Sequence, residues 1–198
     1  AAETVIGRHQ DDSMWNPSQG TYGLFGETAV HAAQRTVVGD TGRGRFLHSA
    51  GLNDTAELIV GRTGAGEYLL DGGVLNAQQI VLGDEVTQTG PVASHSDGRF
   101  IWSGGELDVT SLVIGRQGTG EFIQDIGAGN TLRLTPHQAI VIAEQANSQG
   151  AFVQRSGDVD TRDSGIVIGL GGSGLYDHVG GLHLATETVI GALAGSQG

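Results

Sequence analysis

The sequence contains no cysteine and no lysine, so all 10 of its basic residues are arginine. Without cysteine there is no thiol nucleophile, no disulfide and no Cys-ligated zinc. Without lysine there is no Schiff-base amine and no Walker-type phosphate loop. Proline occurs 3 times, and aromatic residues make up only 5% of the chain. No apolar run approaches the ~18 residues of a membrane-spanning helix, so no membrane span is expected. Positive charge is scarce as well, with 10 basic against 22 acidic side chains and a net charge of -12. Such a polyanion repels phosphate backbones, which excludes nucleic acid as a partner. Helix has no foothold, because no useful window keeps 3.6-residue apolar spacing free of glycine.

What the chain has in excess is glycine, 35 of 198 residues, without the every-third placement of collagen. The glycines punctuate a repeat. Thr4-Val5-Ile6-Gly7 recurs as Thr36 to Gly39, Leu58 to Gly61, Ile80 to Gly83, Leu112 to Gly115, Ile140 to Ala143, Ile166 to Gly169 and Thr188 to Gly191. The closing positions are 32, 22, 22, 32, 28, 26 and 22 residues apart, which makes the unit 22 residues and the longer spacings units with insertions. Short β-prone runs between glycine corners predict three strands per unit, with Gly72-Gly73 as one corner. The expected fold is all-β: a single β-solenoid over 1–198, seven coils and the start of an eighth, with loop insertions near 8–19, 84–97, 126–139 and 157–165.

Equivalent positions in successive units carry matching chemistry. Two residues after Gly20, Gly44, Gly66, Gly98, Gly120, Gly150 and Gly174 stand Tyr22, Phe46, Tyr68, Phe100, Phe122, Phe152 and Tyr176. Stacked at a strand spacing of ~4.8 Å, these rings form an interior ladder. After the closing position come Arg8, Asp40, Arg62, Asp84, Arg116 and Glu144, and before the aromatic come Arg45, Glu67, Arg99 and Glu121. Both columns alternate in sign, which reads as two salt-bridge ladders that set register. Leu47, Leu69, Ile101, Ile123 and Val153 follow the aromatics and are expected to point outward, as a lateral interface or beneath an insertion.

These units resemble the glycine-rich β-solenoid repeats of large secreted bacterial surface proteins, autotransporter-like and PEP-CTERM-associated, of the form G-x-G-x-F-x-Q-x-G-G ending in L-x-I-G. Gly120-Glu121-Phe122-Ile123-Gln124 and Leu112-Val113-Ile114-Gly115 carry the likeness. It departs from the pattern where Thr usually follows the aromatic. The resemblance implies an extracellular fibre, adhesin or matrix component. Ala1-Ala2 is compatible with signal-peptide cleavage.

Other motifs have a structural reading. Asp40-Thr41-Gly42 and Asp163-Ser164-Gly165 resemble the halves of an aspartic protease, but stacking separates them by five units, roughly 24 Å. The runs Gly61 to Gly66 and Gly169 to Gly174 recur once per unit and read as corners, not nucleotide loops. His178 shares a register with His48, Trp102, Gln124 and Gln154, so the His178, His183 pair reads as ladder positions and not as a metal site. No cofactor is expected; calcium stays open for so acidic a chain, although the nonapeptide of calcium-binding β-rolls is absent.

The insertions are the places for individual chemistry: Asp11, Asp12, Trp15 and Pro17 in the first, and Glu85, Pro91, His95 and Asp97 in the second, three units away. They suit sugar binding or subunit contact. Repeat sequence at Thr4, Val5 and Ile6 and again at Val189 and Ile190 fits either a piece of a longer repeat array or strands that pair head to tail between copies, and the latter is the expectation. The expected function is a non-enzymatic extracellular filament subunit. A polysaccharide-binding adhesin module or, less favoured, a polysaccharide-cleaving enzyme are the alternatives.

Overall fold

A computed structural model describes residues 2–8, 18–87, 94–127, 131–133 and 139–198. Among these there is no helix. The strands in chain order are β1 Glu3–Ile6, β2 Gln19–Leu24, β3 Val30–Val38, β4 Arg43–His48, β5 Leu52–Val60, β6 Ala65–Leu82, β7 Val86–Thr87, β8 Ser94–His95 and β9 Asp97–Ile114. They continue as β10 Thr119–Asp125, β11 Thr131–Arg133, β12 Ile140–Ile142, β13 Gln149–Ser156, β14 Asp158–Thr161, β15 Ile166–Ile168, β16 Ser173–His178, β17 His183–Ala185 and β18 Thr188–Ile190. A 13-stranded sheet holds most of them, and β11, β14 and β17 form a second sheet.

Pairing is parallel throughout the described residues except for the short antiparallel pair β7 and β8. Parallel neighbours need a long crossover between them. Here the rest of each repeat supplies it, so a residue pairs with its own counterpart one repeat later: Phe46 with Tyr68, Tyr68 with Phe100 and Val60 with Leu82. Side chains alternate across each strand, and β4 reads exposed, buried, exposed, buried from Arg43 to Phe46. The inward residues form columns of one type, such as Val38, Val60, Leu82, Ile114 and Ile142, with Leu58, Ile80, Leu112 and Ile140 beside them.

Two features differ from the sequence expectation. The corner at Gly72-Gly73 does not end a strand, because β6 runs 18 residues through it, with register shifts against β9 on both sides of Asp71. A bulge bends a strand while its flanks stay paired, so the unit turns without giving up its ladder. The segments near 126–139 and 157–165, read as loops, contain β11 and β14, which pair Leu132 with Val159 and bury both. Extra residues between the aromatic and β11 displace that strand in sequence, and the displacement hides it from a fixed-period reading. In the insertion near 84–97 lie β7 and β8. Asp11, Asp12, Trp15, Pro17 and Pro91 lie outside the described residues.

The closing position of the repeat has positive φ in all eight copies, from 56° at Ala143 to 77° at Gly7 and Gly39. At Gly61 a side chain would meet two obstacles, the left-handed backbone and the Asp97 carbonyl of the next unit, into which a Cβ would run. Ala143 is the one copy that carries a Cβ in this conformation, which costs an L-residue ~1–2 kcal/mol. Gly61→Ala is therefore expected to lower stability by more than ~2 kcal/mol in urea unfolding, whereas Ala143→Gly is neutral or raises it by up to ~1 kcal/mol.

Candidate functional site

The most regular feature is the aromatic column. Ring centroids of Tyr22, Phe46, Tyr68, Phe100, Phe122, Phe152 and Tyr176 follow one another at 4.8, 4.6, 5.0, 5.1, 5.0 and 5.1 Å. From Phe46 to Phe122 the rings are stacked nearly parallel, and from Phe122 to Tyr176 they meet edge to face. The five middle rings are fully buried, while Tyr22 and Tyr176 at the two ends are half-buried. The glycine two residues earlier makes room: a Cβ on Gly98 would strike the Val60 carbonyl of the closing strand.

Buried hydroxyls and rings beside this column are satisfied by one another. Tyr68 donates its O–H to His48 Nδ1 at 2.9 Å and accepts from Asn53 Nδ2 at 2.9 Å, while His48 Nε2 donates to the Gly51 carbonyl at 3.2 Å. Burial pushes the Tyr68 hydroxyl well above its ordinary value, so the phenol stays neutral. Burial likewise lowers His48, His31 and His183, and His178 adds to the shift at His183. His31 reaches Thr36 at 3.2 Å, and Thr36 reaches Thr55 at 3.2 Å.

The column of His48, Trp102, Gln154 and His178 has a further job that periodicity alone does not disclose. Each donates to the carbonyl of a glycine three residues on: Gly51, Gly105, Gly157 and Gly181, at 3.2, 3.3, 2.6 and 3.0 Å. All four glycines have positive φ. The donors thus satisfy the carbonyls at a sharp corner, whereas Gln124 of the same column, also three residues before a glycine, donates to the Asp158 carbonyl at 3.0 Å.

Charged side chains fall into clusters. Asp40, its side chain 2% exposed, is bracketed by Arg8 at 2.7 Å and by Arg62. Arg116 joins Asp84 at 2.8 Å to Glu144 at 3.4 Å. Among the described residues no ion pair connects Arg62 to Asp84, so this column is two clusters. The second column is continuous, from Arg45 to Glu67 at 2.8 Å, Glu67 to Arg99 at 4.0 Å and Arg99 to Glu121 at 2.8 Å. A pair that the sequence reading missed, Arg35 to Glu57 at 2.6 Å, follows the same rule, since the two residues are one 22-residue unit apart.

Leu47, Leu69, Ile101 and Val153 are half-buried, and Ile123 is only 2% exposed. The column is thus not an open apolar stripe. At the two ends of the sheet, β1 pairs only with β3 and β18 only with β15 among the described residues. Ile190 is 63% exposed, although Val38, Val60, Leu82, Ile114 and Ile142 in the same register are fully buried. Ile6 at the other end is 6% exposed. No three His, Asp or Glu side chains converge as a metal site among the described residues. Comparison with protein-family models, with characterised proteins and with solved structures finds no match.

The buried column generates two expectations. Phe100→Ala removes a ring packed between two others and should cost ~3–5 kcal/mol by urea denaturation. The buried histidines make stability depend on pH. Their folded-state values lie below the ordinary 6.5, so their contribution is complete above 6.5 and is lost as pH falls from there toward the lowered values, where only the unfolded chain binds the extra protons. Each proton so excluded is worth up to ~1.4 kcal/mol per pH unit. His48→Leu, which mimics Leu70 in the next unit, should flatten the loss measured between pH 6.5 and 5.

Proposed function

We propose that the chain is a β-solenoid of about seven 22-residue coils and the start of an eighth, a non-catalytic structural protein whose copies stack head to tail into an extracellular surface or matrix filament. The observation that carries this reading is at the two outermost strands. β1 and β18 each have one partner among the described residues, and they lie in the same pentapeptide, Glu-Thr-Val-Ile-Gly, at 3–7 and 187–191.

Backbone direction makes the two edges complementary. Ala2 and Ile6 accept hydrogen bonds through their carbonyls from Arg35 in β3 and from Gly39 just after it, so by strand alternation the N–H of Val5 points to the open side. Gly191 donates to Ile168 of β15, so the carbonyls of Thr188 and Ile190 point to the open side of β18. Stacking in the register of the interior repeats gives Val5 N–H to Thr188 and Gly7 N–H to Ile190. It also covers Ile190, which contributes ~1–2 kcal/mol. Glu187 then lies beside Glu3, like charges that add to the repulsion from a net -12. The extracellular setting rests on the resemblance of the repeats to those of secreted surface proteins.

Sedimentation velocity of the 198-residue chain is expected to show oligomers that lengthen with protein concentration and with salt, which screens the repulsion. Val5→Pro deletes a donor on the open side only, so it should leave the strand spectrum unchanged and yield monomer. A monodisperse monomer of the unaltered chain at high concentration and moderate salt would sink the proposal.

A further inference from the structure

One outer face of the sheet carries a groove of about 530 Å³ across β3, β5, β6 and β9. Ala32, Asp54, Asn76 and Asp108 stand at directly paired positions on these four strands and form one wall. Gln34 and Gln78 line it two residues further along their strands. Asp54 and Asp108 are exposed. No described cationic side chain lines the groove; Arg35, at an adjoining position, is held by Glu57 at 2.6 Å.

We propose that this groove binds a linear β-1,4-linked amino-sugar polysaccharide with free amines. The argument is charge and spacing together. Asp54 and Asp108 are two strand spacings apart, roughly 10 Å, with the amide of Asn76 midway. An extended β-1,4-linked glycan is a two-fold ribbon whose sugars advance by close to one strand spacing, so every second ring presents the same edge. Laid across the strands, alternate sugars set their ammonium groups against Asp54 and Asp108. The ring between them meets Asn76, and hydroxyls on the far edge meet the amides of Gln34 and Gln78. The groove spans four units and so accommodates about three sugars. A neutral chain leaves the carboxylates without counter-charge, and an acidic one is repelled.

The inference does not rest on filament formation, because the groove lies on a face and not at the edges of β1 and β18. The test is calorimetric titration of the full chain with the hexamer of β-1,4-linked glucosamine at mildly acidic pH. The fully N-acetylated hexamer is titrated in parallel. Binding of the amine form, weakened by salt, is expected, with the acetylated form about tenfold weaker or worse. Asp54→Asn with Asp108→Asn keeps side-chain shape and should lower affinity for the amine form about tenfold or more, with sedimentation behaviour unchanged. Glu27→Gln with Asp177→Asn removes the same charge from exposed positions outside the groove and should leave affinity within about twofold. Absence of binding overturns the proposal, and so does equal binding of the acetylated hexamer. An equal loss in both double variants also overturns it, because the attraction is then only that of a polyanion for a polycation.

Discussion

The rest of this molecule depends on parallel pairing in register between one repeat and the next, interrupted only locally, at the bulges beside Asp71 and Gln124. At a strand spacing of ~4.8 Å, each residue faces its own counterpart above and below, so a residue type suited to a position is suited to it in every unit. Hydrogen-bonded backbones also approach closely at each turn. That closeness forces glycine or a left-handed residue at the closing position and again before each aromatic, where the next strand crosses.

The stacked columns divide the labour of stability and specificity. Ring contacts near 5 Å in a dry interior are worth more than area burial alone, and five of the seven rings are wholly buried. The charged columns lie largely at the surface, where a pair contributes ~0.5 kcal/mol, so their effect is to penalise a slipped register that would set like charges together. Asp40 and Asp84 are the exceptions: both carboxylates are buried, Asp40 between two arginines from adjacent units and Asp84 against Arg116. A chain with net charge -12 can stack because its cations are spent between carboxylates, and Glu67 and Asp40 each bridge two of them.

Regularity also sorts where function can reside. The faces differ from one another because each presents a different pair of outward columns, whereas the edges at β1 and β18 present the same backbone pattern as every interior strand. An edge therefore offers only backbone groups, which suit a strand of any sequence, and a face presents side chains that can be selective. The groove over β3, β5, β6 and β9 presents two exposed carboxylates, Asp54 on β5 and Asp108 on β9, in one column with no described arginine among its lining.

The repeat length, the absence of helix, the inward ring column and the alternating charges were all legible in the sequence, because a one-dimensional period becomes a spatial column whenever strands stack in parallel. The pairing Arg35 with Glu57 was legible too, one unit apart, and was overlooked only because it stands outside the two columns that were read. Other features needed the tertiary structure. Strand β11 stands ten residues after its aromatic instead of the seven that separate Tyr68 from Leu75 and Phe152 from Val159, and only its pairing with β14 reveals it. Periodicity places His48, Trp102, Gln154 and His178 in one column, but the three-dimensional bend of the corner brings each to its glycine carbonyl. The gap between Arg62 and Asp84 and the enclosure of Ile123 follow from side-chain paths and local packing, which a register does not specify. Sequence by itself thus determined which residues share a column, because that depends on spacing alone. Tertiary structure decided which columns bend into a groove, which neighbours touch and which strands are left open, because those depend on how the backbone turns between columns.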